Sequence, residues 1–201
     1  MKKLESTLTN MLLALTGITV VMVGILAFMN ELTREPIAQA NAKTLSDAVA
    51  AVVPGFDNDP IAEKRVENVE GVDYTIYPAT KGGEYLGAAV ESTALGFGGN
   101  LTIIVGFDKD GVINDYSLLS HAETPGLGAK ADAWFKKGQK GDITGMTPAN
   151  GDLTVSKDGG QIDAITASTI TSRAFLKAVN NAYKVYKGSP DAVSGATQSA
   201  N

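Results

Sequence analysis

The chain has 201 residues, a formal net charge of −5, no cysteine and a single histidine. The missing thiols exclude disulfides and cysteine-ligated zinc or iron–sulfur clusters within the chain, and one histidine argues against a transition-metal site, so any electrons handled here need an organic cofactor. The scattered basic residues make no nucleic-acid surface, and the length allows one membrane anchor plus one domain of ordinary size.

Met11 to Met29 holds no charged residue and is mostly Leu, Val, Ile, Met and Ala. At about 1.5 Å per residue, a helix over this stretch nearly spans a hydrocarbon core of about 30 Å. A signal peptide would have a shorter apolar region and a small-residue cleavage site. The flank Met29-Asn30-Glu31-Leu32-Thr33-Arg34 has no such site, and no cysteine follows to accept a lipid. The expectation is one retained anchor. Lys2 and Lys3 precede it and Arg34 is the first basic residue after it. That bias places the N-terminus in the cytoplasm and the remainder outside.

Glu31 to Val53 reads mostly as helix, with a kink or restart at Pro36. Ile37, Leu45, Ala48, Val49 and Val52 form an apolar stripe, stopped by Pro54-Gly55. Residues 56–68 are largely polar and read as a loop with one short element. Tyr74 to Tyr77, Leu86 to Glu91, Leu101 to Phe107 and Val112 to Ser120 read as strands, being rich in β-branched and aromatic residues between glycine-rich turns. Asp108-Lys109-Asp110-Gly111 is a hairpin signal. Gly96-Phe97-Gly98-Gly99 reads as a loop or bulge between strands.

Ala129 to Lys137 is expected as a short helix holding Trp134 and Phe135, residues 138–151 as loop, and Leu153 to Val155 and Ile162 to Ile165 as short strands. A final helix follows, with Phe175, Leu176, Val179, Ala182, Tyr183 and Tyr186 recurring at helical spacing. Lys187-Gly188-Ser189-Pro190 stops it. The layout is therefore α+β: residues 1–10 as N-terminus, 11–29 as transmembrane helix, 30–70 as helical stalk and linker, 71–188 as one domain with an antiparallel sheet and flanking helices, and 189–201 as tail.

Two stretches carry chemistry. His121-Ala122-Glu123-Thr124-Pro125-Gly126-Leu127-Gly128 makes a tight loop whose backbone N–H groups can approach a ring or phosphate closely. Turn chemistry alone leaves it equally readable as a strand-to-helix connection. His121 reads as a loop residue rather than a catalyst. Asp163-Ala164-Ile165-Thr166-Ala167-Ser168-Thr169-Ile170-Thr171-Ser172 sets four hydroxyls, from Thr166 to Thr171, at the mouth of the last helix. Free N–H groups and the positive end of the helix dipole suit a phosphate there, although such residues also begin many helices as simple caps.

Both stretches resemble hallmarks of the FMN-binding domain family. Glu-Thr-Pro-Gly-Leu-Gly is complete over Glu123 to Gly128. In that family this loop contacts the flavin, which implicates Glu123, Thr124, Leu127 and Gly128. The second stretch resembles the flavinylation motif: Asp, two variable residues, Ser/Thr, Gly, Ala/Ser, Thr, any residue, Ser/Thr. The resemblance implies that Thr169 carries a covalent, phosphothreonyl-linked FMN, with Thr166, Ser168 and Thr171 beside it. Ala167 departs from the motif where Gly is usual, and Ala resists backbone conformations that Gly permits. Asp191 to Ser199 matches the motif in full, which makes Thr197 a rival. Only four residues follow Thr197, too few for a helix to supply an anion site, so Thr169 is preferred.

The layout is similar to the G subunit of Rnf electron-transport complexes. It is also similar to the C subunit of the sodium-pumping NADH:quinone reductase, which is usually longer. That resemblance implies an electron relay in the bacterial cytoplasmic membrane, with the domain on the periplasmic side. It implies other membrane subunits as partners, a flavin transferase for maturation, and coupling to Na⁺ or H⁺ translocation. A stand-alone extracytoplasmic flavoprotein, and an anchored scaffold without cofactor, remain alternatives.

Overall fold

The computed structural model describes residues 7–69 and 71–188. Lys2, Lys3, the stop at Ser189-Pro190 and the Thr197 motif lie outside the described residues. Two units are distinguished, Met1–Lys43 and Thr44–Asn201.

Helix α1 runs over Leu8–Val52, with Pro36 inside it. Of the kink or restart expected at Pro36, the restart does not occur, since the helix continues through it. A proline removes one helix hydrogen bond and crowds the preceding turn, a cost of about 3 kcal/mol that a long helix can carry. Within the first unit the apolar side chains face outward on every side: Leu12, Leu15, Ile18, Val21, Leu26 and Phe28 are all more than half exposed. The most apolar window has a mean hydropathy of 2.5, and none of it is buried. By length and composition this helix is able to cross a membrane. The Thr19 and Thr33 hydroxyls donate to the carbonyls of Leu15 and Met29, both at 2.8 Å, so neither needs water.

The second unit is built on a five-stranded antiparallel meander: β1 (Arg65–Val69), β2 (Val72–Lys81), β3 (Glu84–Leu95), β4 (Asn100–Asp108) and β5 (Ile113–His121). Strand alternation sends successive side chains to opposite faces. In β4, Leu101, Ile103, Val105 and Phe107 join the main core, whereas Ile104 joins a smaller one on the other face. The last helix, α3 (Thr169–Gly188), covers the main face. The apolar periodicity expected for it is met: Phe175, Leu176, Val179, Ala182, Tyr183 and Tyr186 are all buried. Phe175 stacks on Phe135 at 4.2 Å between ring centroids and meets Tyr116 edge-on at 4.7 Å. Each of these rings is fully buried, a contribution of about 1.5–3 kcal/mol apiece.

The second face is covered from within the same unit by the end of α1, where Ala48, Val49 and Val52 pack with Tyr77, Ala79, Ala89 and Ile104. The stripe expected over Leu45 to Val52 is thus core, whereas Ile37 is 55% exposed. Gly106 permits the approach, since a Cβ there would lie 2.1 Å from the Val52 carbonyl oxygen.

Four strands fall where β-branched and aromatic enrichment between glycine-rich turns placed them. The remaining strand, β1, lies in the region expected to be loop, and every residue of it is at least partly exposed. With no buried face it has no hydrophobic period to read. The strands expected at Leu153 to Val155 and Ile162 to Ile165 are not formed. Only one parallel bridge, Val155 to Ile162, joins these stretches. Val155, Ile162 and Ile165 are buried in the main core, so their apolar character reports side-chain burial rather than a ladder. The helix expected over Ala129 to Lys137 shrinks to a 3₁₀ turn, Gly128–Lys130, and a single turn α2, Ala131–Trp134.

Candidate functional site

The Glu123–Gly128 loop and the start of α3 meet, although more than 40 positions separate them in sequence, and a cleft of about 380 Å³ opens between them. Glu123, Thr124, Leu127 and Gly128 line one side, Ala167 to Thr171 the other, and Phe97 the rim. The volume lies in the range of small-ligand sites. Of the candidate site residues in the Glu123–Gly128 and Asp163–Ser172 stretches, Glu123, Thr124, Leu127, Gly128, Ser168, Thr169 and Thr171 line the cleft and Thr166 does not.

Local chain geometry explains the helix start. The Ser168 N–H donates to the Ile165 carbonyl at 3.0 Å, which closes a tight turn over Thr166 and Ala167. Ala167 has φ +61°, and it is the one non-glycine left-handed residue among those described. A turn of this kind favours glycine at its third position. The departure from the motif is therefore a strained residue in the backbone shape that the motif's glycine would adopt freely. The Ser172 hydroxyl then secures the turn, accepting from the Ile165 N–H at 2.9 Å and donating to the Ser168 carbonyl at 3.0 Å.

The hydroxyls separate by role. Ser172 is spent on the turn. Thr171 is 1% exposed and donates to Glu123 Oε2 at 2.6 Å. Ser168 is buried and Thr166 exposed. Thr169 is part-exposed in the cleft at the first helical position, and its Oγ1 accepts a hydrogen bond from Lys157 Nζ at 3.2 Å. The first N–H groups of α3 have no acceptor within the helix and point the same way.

Glu123 acts as a clip. Its Oε1 accepts from the Phe97 and Gly98 N–H groups at 2.8 and 3.2 Å, while Oε2 takes the Thr171 hydroxyl. One buried carboxyl group thus ties the glycine-rich loop after β3 to the start of α3. Gly128 leaves room for it, because a Cβ there would stand 2.4 Å from Oε2. The Glu123 N–H in turn donates to His121 Nδ1 at 3.2 Å, which gives that histidine a loop-shaping contact.

Three large apolar side chains stand exposed around the opening: Phe97 at 71%, Leu127 at 42% and Ile170 at 52%. Sequence reasoning passed over Phe97 and Ile170 as site residues. Their signal was available only in part, as an aromatic inside a glycine run and an apolar residue inside a hydroxyl cluster. The arrangement suits a ligand with an anionic end at the helix start and a flat ring against the apolar rim.

Residues 96–184 match the model of the FMN-binding domain. The G subunit of the ion-translocating oxidoreductase complex of Aliivibrio fischeri strain ES114 is 38% identical over 167 residues, covering 78% of this chain and 79% of the relative. The G subunit from Cereibacter sphaeroides is 33% identical over 80% of this chain and 76% of its own length. That of Pseudoalteromonas atlantica is 30% identical over 92% of this chain and 91% of its own length. The chain therefore belongs to the G-subunit family of Rnf-type ion-translocating oxidoreductase complexes, with an FMN-binding domain over residues 96–184.

Proposed function

We propose that this chain is the electron-relay subunit of a membrane-bound Rnf-type complex and carries FMN joined through its phosphate to Thr169 Oγ1. The carrying observation is the convergence of the Glu123–Gly128 loop and the Thr169 helix start on one cleft. When bound, the flavin supplies one-electron transfer between successive partners.

The chain's own residues bind and orient. Thr169 offers a part-exposed hydroxyl, while Thr171 and Ser172 are committed elsewhere. The N–H groups of the first turn of α3 stabilise the phosphodiester charge. Phe97, Leu127 and Ile170 give the ring an apolar seat. The Glu123 clip holds the two walls together.

Among the described residues, no base is hydrogen-bonded to the Thr169 hydroxyl. The one side chain bonded to its Oγ1 among the described residues is Lys157, which is a donor. A threonine hydroxyl without a base is a poor nucleophile. Attachment therefore calls for a flavin transferase using FAD. The Thr169 Oγ1–phosphorus bond forms, the FAD pyrophosphate bond breaks, AMP leaves, and the hydroxyl proton passes to a base of the transferase.

The apolar helix and the Lys2/Lys3 against Arg34 bias support a single-pass orientation with the domain on the periplasmic side of the cytoplasmic membrane. Other membrane subunits would deliver and accept the electrons, coupled to Na⁺ or H⁺ movement.

The test is co-expression of the full chain with a flavin transferase, followed by denaturing gels read for flavin fluorescence. Wild type and Thr197→Ala should fluoresce, and Thr169→Ala should be dark. A dark wild type refutes the covalent flavoprotein. A dark Thr197→Ala beside a fluorescent Thr169→Ala moves the site to the C-terminal motif.

A further inference from the structure

A turn that belongs to neither motif faces the helix start. Ser156–Asp158 forms a single 3₁₀ turn, which places Lys157 against Thr169. Arg173, one helical turn beyond Thr169, grips the neighbouring Asp158 with both arms: Nε to Oδ2 and a terminal nitrogen to Oδ1, each at 2.7 Å. A bidentate guanidinium–carboxylate pair fixes direction as well as distance. The turn is thereby fastened to the first turns of α3. Arg173 is committed to Asp158, and the Lys157 ammonium stands 3.2 Å from Thr169 Oγ1.

We propose that Lys157 is a positioning residue for the flavin phosphate, pairing its ammonium with the phosphodiester on Thr169 while the Arg173–Asp158 pair holds it in place. This rests on the assignment of FMN to Thr169. Once Oγ1 is esterified, the phosphorus is one bond away from it, so the charged phosphate oxygens fall within reach of an ammonium already placed on Oγ1. A lysine fits this task as a compact charge on a flexible stem, able to follow an oxygen that moves by a bond length. The helix N-terminus supplies partial charge from one side and Lys157 a full charge from the other. The diester is then fixed at both ends, and the tether cannot swing freely about the Thr169 side chain.

The experiment uses the full chain, co-expressed with a flavin transferase and purified in a phosphorus-free detergent. Wild type, Lys157→Gln, Lys157→Arg and Lys184→Gln are compared by intact mass for loading and by ³¹P NMR for the diester. Lys184 is the control, since it lies on α3 and pairs with Asp152 at 3.6 Å. The diester resonance should shift in Lys157→Gln, return toward wild type in Lys157→Arg, and stay in place in Lys184→Gln. If Lys157→Gln folds but stays unloaded while Lys157→Arg loads, the charge requirement stands equally. A Lys157→Gln spectrum that superimposes on a loaded wild type overturns the role of Lys157 and leaves Thr169 standing. A wild type without a diester resonance overturns both.

Discussion

The most informative single substitution is Ala167→Gly. Ala167 sits at φ +61° in the turn that launches α3, and its side chain is exposed. A left-handed conformation costs an L-residue about 1–2 kcal/mol. The exposed methyl group buries little that offsets this. Glycine removes that strain, while its greater freedom in the unfolded chain costs about 0.4–1 kcal/mol. The net expectation is a stabilisation of roughly 0.5–1 kcal/mol, or a rise in Tm of roughly 2 °C for a unit of this size. The reporter is built in. Trp134, the one tryptophan of the chain, donates its indole N–H to the Asp163 carbonyl at 2.8 Å, at the entry to this turn. Thermal and urea unfolding of the unloaded chain, followed by Trp134 emission, avoids quenching by flavin. Ala167→Val should move the other way by more than about 1 kcal/mol, because a β-branched side chain tolerates positive φ least. A fall in stability for Ala167→Gly, of the size glycine causes at an ordinary position, would refute the left-handed assignment and with it the account of why the motif favours glycine.

Gly128→Ala should be damaging out of proportion to one methyl group. Its Cβ would stand 2.4 Å from Glu123 Oε2 and 2.7 Å from Thr171 Oγ1, forcing that buried hydrogen bond apart. A cost of about 2 kcal/mol in urea unfolding, with reduced flavin loading, is expected; unchanged stability would show that the clip is not strained by the substitution. Hydrogen bonding from Arg173 holds the Asp158 carboxyl below its usual range, so the pair contributes above the ordinary aspartate value and is lost only as pH falls through the lowered one. An NMR titration of Asp158 in wild type and Arg173→Gln checks this, the variant being expected to titrate in the ordinary range near about pH 4. At the alkaline end, burial pushes the Tyr186 phenol up to about 12, and its hydroxyl donates to the Asp108 carbonyl at 2.7 Å. The folded state holds this proton more tightly than the unfolded chain, whose tyrosines ionise near about 10. Stability is therefore full below that pH and declines as pH rises through about 12. Tyr186→Phe should reduce the slope of stability against pH in that window, and an unchanged slope would contradict the assignment.

Most of the architecture was legible because local sequence carries it. The apolar helix shows as an uninterrupted apolar run, four of the strands as β-branched and aromatic stretches between glycine-rich turns, and α3 as a helical period of apolar residues. The candidate site was singled out by resemblance to two family motifs, since turn chemistry and hydroxyl clustering alone read equally as a connection and a helix cap. What misled was apolar character without a period. Val155, Ile162 and Ile165 plug the core from irregular chain, and β1 lies on an exposed edge with no pattern at all.

By itself the sequence determined that the chain carries an apolar helix, an antiparallel sheet and a helix opened by hydroxyls, since short-range periodicity and turn preference decide those. Only the tertiary structure decided what each hydroxyl does. Thr171 is spent on Glu123, Ser172 on the Ile165 turn, and Thr169 stands in the cleft beside Lys157. Those contacts join segments 7 to 48 residues apart, such as Glu123 with Thr171. Folding alone sets their distances, because no local preference of either segment refers to the other.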